Sequence, residues 1–169
     1  MSFSIRLAQV SDLLTLPEIE VEARSRFTDI EMSTELRAYQ TPAHELRMCQ
    51  SEDLLWIAEI PSDGVIGFLA AETFEQSLHV LQLSVRTSAG RRGVGTCLLS
   101  RAHQEAKARG LPHLSLTTFA NVPWNAPAYA KQGFVALDPY ELTPGLRRRL
   151  ANESAAGLSN RVAMRRLVT

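Results

Sequence analysis

No stretch of the chain approaches the roughly eighteen consecutive apolar residues that a membrane-spanning helix requires, which argues against a membrane partner. The N-terminus, Met1-Ser-Phe-Ser-Ile-Arg6, lacks a charged head followed by a long apolar stretch, so no secretory signal is expected. Net charge is missing as well. Lys plus Arg and Asp plus Glu each number 18, and the formal net charge is zero. Nucleic acids and anionic membranes both select a basic excess, so this balance argues against either as the main partner. Cysteine is scarce: Cys49 and Cys97 have no Cys-x-x-Cys or His-rich company, which leaves no zinc pattern. Two free thiols fit a reducing cytoplasm better than a secreted disulfide framework. What remains is a chain of 169 residues, 45% apolar, with no repeat, low-complexity tract or linker. It is long enough to bury a core without disulfide or metal staples, and a single domain over 1–169 is expected.

The apolar pattern gives the order of elements. Ile5-Arg-Leu-Ala8 reads as a short strand, and Ser11-Asp12 as the cap of a helix carrying Leu13, Leu16, Ile19, Val21 and Ala23. A second helix is predicted over Thr34 to Gln50, broken or restarted at Pro42. Residues 54–60, 65–71 and 79–85 read as strands, the first two joined as an antiparallel hairpin by Pro61-Ser-Asp-Gly64. A helix follows from about Gly93, with Val94, Cys97, Leu98, Ala102 and Ala106 on one stripe, stopping at Gly110-Leu-Pro112. Then come a strand at Leu114–Phe119, a short helix over 124–132, a strand opening at Phe134, a helix over 144–156 and a last strand over 161–167. A meander followed by alternating helix and strand predicts an α/β (α+β) layer around one central sheet.

The most informative stretch is Gln82-Leu-Ser-Val-Arg86-Thr-Ser-Ala-Gly90-Arg91-Arg92-Gly93-Val94-Gly95-Thr96. A strand running into a Gly-rich turn at a helix start gathers backbone N–H groups, and the helix dipole there favours an anion. Arg91 and Arg92 add fixed positive charge. A nucleoside triphosphate would require a lysine after the second glycine, and none lies between Ala89 and Arg101. A dinucleotide would require a third glycine and an early βαβ unit, and both are lacking. The pyrophosphate of coenzyme A remains, beside a turn that uses glycine for geometry alone.

Leu83-Ser-Val85, the five-residue turn and Arg91-Arg-Gly-Val-Gly-Thr96 resemble the acetyl-CoA motif of the Gcn5-related N-acetyltransferase (GNAT) family. Asn125-Ala-Pro-Ala-Tyr129-Ala-Lys-Gln-Gly133-Phe134 resembles that family's second signature, about forty residues later. The resemblance implies a GNAT-like mixed, mostly antiparallel sheet of 6 to 7 strands flanked by helices. It implies acetyl-CoA as cofactor, with the pantetheine arm along Leu83, Ser84 and Val85. The pyrophosphate would then lie on Arg91, Arg92, Gly93, Val94, Gly95 and Thr96, with Asn121 touching the same cofactor. One departure stands out: Gly90 occupies the position where the family carries Gln or Arg, so a side-chain donor is missing, for which Arg91 and Arg92 could compensate.

The implied reaction is attack of a neutral amine on a thioester within a ternary complex, where positioning is the largest contribution. Tyr129 is the candidate hydrogen-bond donor to the leaving thiolate, and a backbone N–H of Leu83 to Val85 polarises the carbonyl. Candidate bases are Glu72 and His79, whereas Glu59 reads as an edge-strand charge. Leu81 stands where many relatives carry glutamate, which keeps alive a second reading, a silent acyl-CoA-binding sensor or scaffold. A third reading, an acetyltransferase acting on a protein- or RNA-linked amine, draws on Arg147-Arg-Arg149 and Arg165-Arg166 as a basic patch. The leading expectation is a small-molecule amine acceptor. The segment Phe27-Thr-Asp29-Ile30-Glu31-Met32-Ser-Thr-Glu35 would supply carboxylates and an apolar wall for a cationic one. The oligomeric state is open, and a terminal strand offering a sheet edge makes a homodimer one possibility.

Overall fold

The computed structural model describes residues 2–27 and 32–169. The chain opens on β1 (Ser4–Leu7) and a 3-10 turn, followed by α1 (Leu16–Arg24), α2 (Thr34–Ala38) and α3 (Ala43–Ser51). A meander comes next: β2 (Leu55–Ile60), β3 (Gly64–Phe74) and β4 (Ser77–Val85). It leads into α4 (Val94–Ala108), β5 (His113–Phe119), α5 (Ala126–Lys131), β6 (Val135–Ala136), α6 (Pro144–Ala155) and β7 (Arg161–Leu167). The strands form one sheet of seven in the order β1-β2-β3-β4-β5-β7-β6. The β4–β5 pair is parallel, while β1–β2, β2–β3, β5–β7 and β6–β7 are antiparallel. This is the mixed, mostly antiparallel α/β (α+β) sheet that the sequence predicts.

Local chemistry explains most boundaries. Pro42 separates α2 from α3, as expected of a residue without an N–H. Ser33 Oγ accepts from the Leu36 N–H at 3.2 Å and starts α2. Gly64, at φ 73, carries the turn from β2 into β3. The turn from β3 to β4 falls on Glu75, a non-glycine at φ 54, and both strands run further toward it than the sequence reading placed them. Asp12 accepts from the Gln9 N–H at 2.7 Å and closes a 3-10 turn, so the helix expected to start there begins at Leu16.

The contacts divide the chain into two compact units, Met1–Glu72 with Leu81–Gln104, and Thr73–Val80 with Glu105–Thr169. In the first, Leu16, Ile19, Leu46, Leu55, Ile57 and Phe68 form a buried core. Arg6 on β1 forks between Asp12 at 2.8 Å and Glu59 at 3.0 Å. Glu59 therefore is not an edge-strand charge: it lies on β2, with β1 outside it. In the second unit Leu137, Leu146 and Ala163 are buried with Phe74, Leu142 and Leu150 against them. The terminal strand is not an edge either. β7 lies between β5, which it pairs from His113↔Leu167 to Phe119↔Arg161, and β6. The two-residue β6 pairs β7 at Arg165 and Met164, which narrows the edge on which the homodimer expectation rested.

Close strand approach fixes one glycine. A Cβ on Gly67 would lie 2.9 Å from the Ser84 carbonyl oxygen and 3.3 Å from Val85 Cα, both backbone atoms. Gly67→Ala is expected to lower stability by about 1–3 kcal/mol in urea denaturation, because backbone gives way less readily than a side-chain tip. An unchanged midpoint would show that β3 and β4 separate there without cost.

Candidate active site

The Gly-rich segment lies within the first unit and is held from outside itself. The Arg86 N–H donates to the Ile66 carbonyl at 2.8 Å, and Arg86 Nε to the Val65 carbonyl at 3.1 Å. Its Nη1 reaches Glu22 at 2.6 Å and Glu18 at 3.1 Å, both on α1. The other oxygen of Glu22 accepts from the backbone N–H and the hydroxyl of Thr87, each at 3.0 Å. Burial pushes the Glu22 carboxyl up, but donation from Arg86 and Thr87 outweighs it and holds the group below its ordinary range.

Beyond that anchor the buried Ala89 plugs the loop and the chain turns sharply. Arg91 (φ 63) and Gly93 (φ 77) are both left-handed, so the chain turns tightly just before α4, a geometry in which successive N–H groups can form an anion-binding nest. The first backbone bond of α4 runs from the Cys97 N–H to the Gly93 carbonyl at 3.0 Å. Gly93 to Gly95 thus form the first turn, at the positive end of a 15-residue helix. The Cβ position of Gly93 has nothing within 4 Å, and the side chains of Arg91 and Arg92 are exposed. No acidic residue occurs from Arg86 to Thr96. Open space beside Gly93 and two exposed cations at a helix start fit a pyrophosphate. On α4 the buried stripe is Val94, Leu98, Leu99, Ala102 and Ala106; Cys97, expected on it, is exposed.

Leu83, Ser84 and Val85 form the end of β4. The parallel ladder with β5 runs from Ser77↔His113 to His79↔Ser115, six residues short of that end. Glu72 stands half-buried near the end of β3. Burial first, and then Glu72, push the nearby Cys49 thiol up to about 11, so Cys49 is a protonated core residue.

The second unit carries the other singled-out residues. Tyr129, on α5, packs edge-to-face on Phe134 with centroids 5.7 Å apart. Burial pushes its phenol up to about 12, against the opposing field of Arg161. Asn121 is exposed just past β5. His79 is 1% exposed, with Nδ1 2.8 Å from Ser115 Oγ and its ring 5.5 Å from Phe74. Burial, reinforced by Arg149, brings it down to about 3, so the imidazole is neutral at working pH. Two members of the arginine run make local contacts: Arg147 donates to the carbonyls of Pro139 and Leu142, and Arg149 lies over the Phe74 ring, while Arg148 is exposed. Of the proposed acceptor segment, Asp29, Ile30 and Glu31 lie outside the described residues. Phe27 and Met32 are half-buried, and Glu35 is exposed in the first turn of α2.

Comparison with known proteins decides the family. The family model described as "Acetyltransferase (GNAT) domain" matches residues 51–136, half of the chain. The chain belongs to the GNAT family. It is an acyltransferase, and solved structures share its fold. The PaiA N-acetyltransferase of Thermoplasma acidophilum, in complex with coenzyme A, is 19% identical with a TM-score of 0.73, covering 99% of each chain. The ribosomal-protein-S18-alanine N-acetyltransferase of Escherichia coli is 19% identical, TM-score 0.69, covering 99% of this chain and 95% of that one. The N-acetylglutamate synthase of Neisseria gonorrhoeae, complexed with coenzyme A and N-acetyl-glutamate, is 21% identical, TM-score 0.68. There the match covers all of this GNAT chain and 36% of the other.

Sequence reasoning missed Glu22 and Arg86 as anchors, and it missed Arg26, whose guanidinium lies against Gly90. Their partners are far away in sequence; the only local signal was the unexplained glycine at position 90. His79 gives a testable acid response. Its folded pKa lies below the ordinary 6.5, so its contribution is fully present above 6.5 and is lost as pH falls toward 3. His79→Asn, which can keep a bond to Ser115, is expected to show a smaller drop in melting temperature between pH 7 and pH 5. Equal drops in both proteins would show that His79 is protonated in the folded state.

Proposed function

We propose that this acyltransferase takes its acetyl group from acetyl-CoA and passes it to a primary amine of a small molecule, by direct attack in a ternary complex. The left-handed turn Arg91–Gly93 at the start of α4 carries the reading, because it offers cations, open space and the positive end of a helix to a pyrophosphate. Backbone N–H groups from Arg92 to Thr96 hold the phosphates, and Asn121 touches the same cofactor. The pantetheine arm adds to β4 at Leu83, Ser84 and Val85, where the ladder to β5 has already ended. An N–H of that strand polarises the thioester carbonyl.

The amine nitrogen attacks the carbonyl carbon, the C–N bond forms, and collapse of the oxyanion breaks the C–S bond. The amine's proton passes through water to Glu72, the remaining base candidate, since a histidine near 3 is too weak a base. The leaving thiolate takes a hydrogen bond from Tyr129. A phenol near 12 holds its proton throughout the working range, so Tyr129 serves as a neutral donor that stabilises sulfur charge. A small acceptor is favoured over RNA by zero net charge, which supplies no basic excess. The free thiols suit a reducing cytoplasm.

The test is coenzyme A release from acetyl-CoA with small cationic amines, amino-acid-derived amines and peptides. Small amines are expected to support turnover. Turnover on peptides alone would move the acceptor to protein, and binding without turnover on any amine would make the protein a sensor. Tyr129→Phe is expected to lower kcat and leave the Kd for coenzyme A nearly intact, with no alkaline loss of wild-type activity below about pH 10. Wild-type turnover in that variant would return Tyr129 to a packing role. Gly93→Val, folded as judged by its melt, is expected to weaken acetyl-CoA at least tenfold, about 1.4 kcal/mol. Unchanged affinity would place the cofactor elsewhere.

A further inference from the structure

We infer that Arg26, just past the end of α1, is a cofactor-binding residue whose guanidinium stands where a side chain from position 90 would otherwise project, and that it donates to the cofactor's pyrophosphate. This rests on the turn at 91–93 being the pyrophosphate site.

Gly90 is the starting point. Its backbone, at φ −62 and ψ 151, is a conformation that any residue adopts, so no left-handed geometry asks for glycine. A glycine there costs chain entropy and gains nothing from the backbone. The space beside it supplies the reason: a Cβ on Gly90 would lie 2.5 Å from Arg26 Nη2 and 3.4 Å from Arg26 Cζ. The missing side chain admits a guanidinium that comes from a different element.

The route from α1 is well defined. Ser25 caps the helix, but the N–H groups of Arg26 and Phe27 still reach back to the carbonyls of Ala23 and Arg24, at 3.5 and 3.0 Å, so the last turn continues. Glu22 and Arg26 are four residues apart and share a face. Glu22 takes the start of the loop through Arg86 and Thr87, while Arg26 reaches Gly90, one residue before the turn.

Charge then calls for an anion. Both oxygens of Glu22 are engaged by Arg86 and Thr87. Arg26 lies beside Gly90, and the exposed Arg91 and Arg92 follow directly in a segment with no acidic residue between Arg86 and Thr96. Gathered cations repel one another, and a phosphate oxygen among them relieves that repulsion. A planar guanidinium fork matches phosphate geometry better than an ammonium does.

The experiment measures calorimetric Kd values for coenzyme A and 3′-dephospho-coenzyme A, with the ligand-free melting temperature as a fold control. Arg26→Ala is expected to weaken both ligands about tenfold. Adding Gly90→Arg to Arg26→Ala is expected to restore most of that loss, because a guanidinium then enters the vacated space from the loop itself. Gly90→Arg alone is expected to stay near wild type, since the side chain it displaces is a flexible tip. Three results overturn the inference while the turn's role stands, provided Gly93→Val still loses binding. They are unchanged affinity in Arg26→Ala, a loss that Gly90→Arg does not rescue, and a loss that disappears with dephospho-coenzyme A. Wild-type protein that binds neither ligand overturns both this inference and the proposed function.

Discussion

The carboxylate of Glu22 holds what the turn cannot hold for itself. A loop that aims its N–H groups at a ligand cannot also use them to stabilise its own shape. Its rigidity has to come from flanking contacts. Here one half-buried carboxylate takes the Arg86 guanidinium and both donors of Thr87, and Arg86 in turn binds two carbonyls of β3. Past the fixed loop start, Arg91 and Gly93 are left-handed, a conformation that glycine adopts freely and arginine does not. Strain of that kind survives only where the surroundings over-determine it. Because hydrogen bonding keeps the Glu22 carboxyl below its usual range, the anchor is intact at neutral pH and weakens as acid protonates it.

A second theme is the neutrality of buried groups. His79, Tyr129 and Cys49 are all driven toward their uncharged forms by burial. Each is therefore a hydrogen-bonding or packing group at working pH. That pattern narrows the proposed chemistry. In the proposed chemistry, proton removal would fall to a carboxylate and sulfur stabilisation to a neutral phenol. The large share of the rate comes from holding two substrates in register.

Much of this was legible in the sequence, for local reasons. Gly93-Val-Gly95 after a strand and before an apolar-striped helix announces a helix-start turn, because the requirement for positive φ sits within three residues. The break at Pro42 and the stop beyond Ala108 follow from single residues in the same way. What stayed hidden depends on distance along the chain. Gly90 looked like a departure from the family pattern, and only the fold shows the Arg26 guanidinium beside it. His79 looked like a strand-end base candidate, yet the parallel β5 buries it against Ser115. The turn at Glu75 lacks the expected glycine, and the interior place of β7 is a matter of strand order that no local pattern encodes.

The most direct measurement is a crystal structure of the protein with coenzyme A bound. The account predicts the pyrophosphate oxygens within hydrogen-bonding distance of the backbone amides from Arg92 to Thr96, with the pantetheine amides paired to Leu83–Val85. A cofactor whose phosphates lie away from that turn, with Gly93 still left-handed and open to solvent, would contradict it.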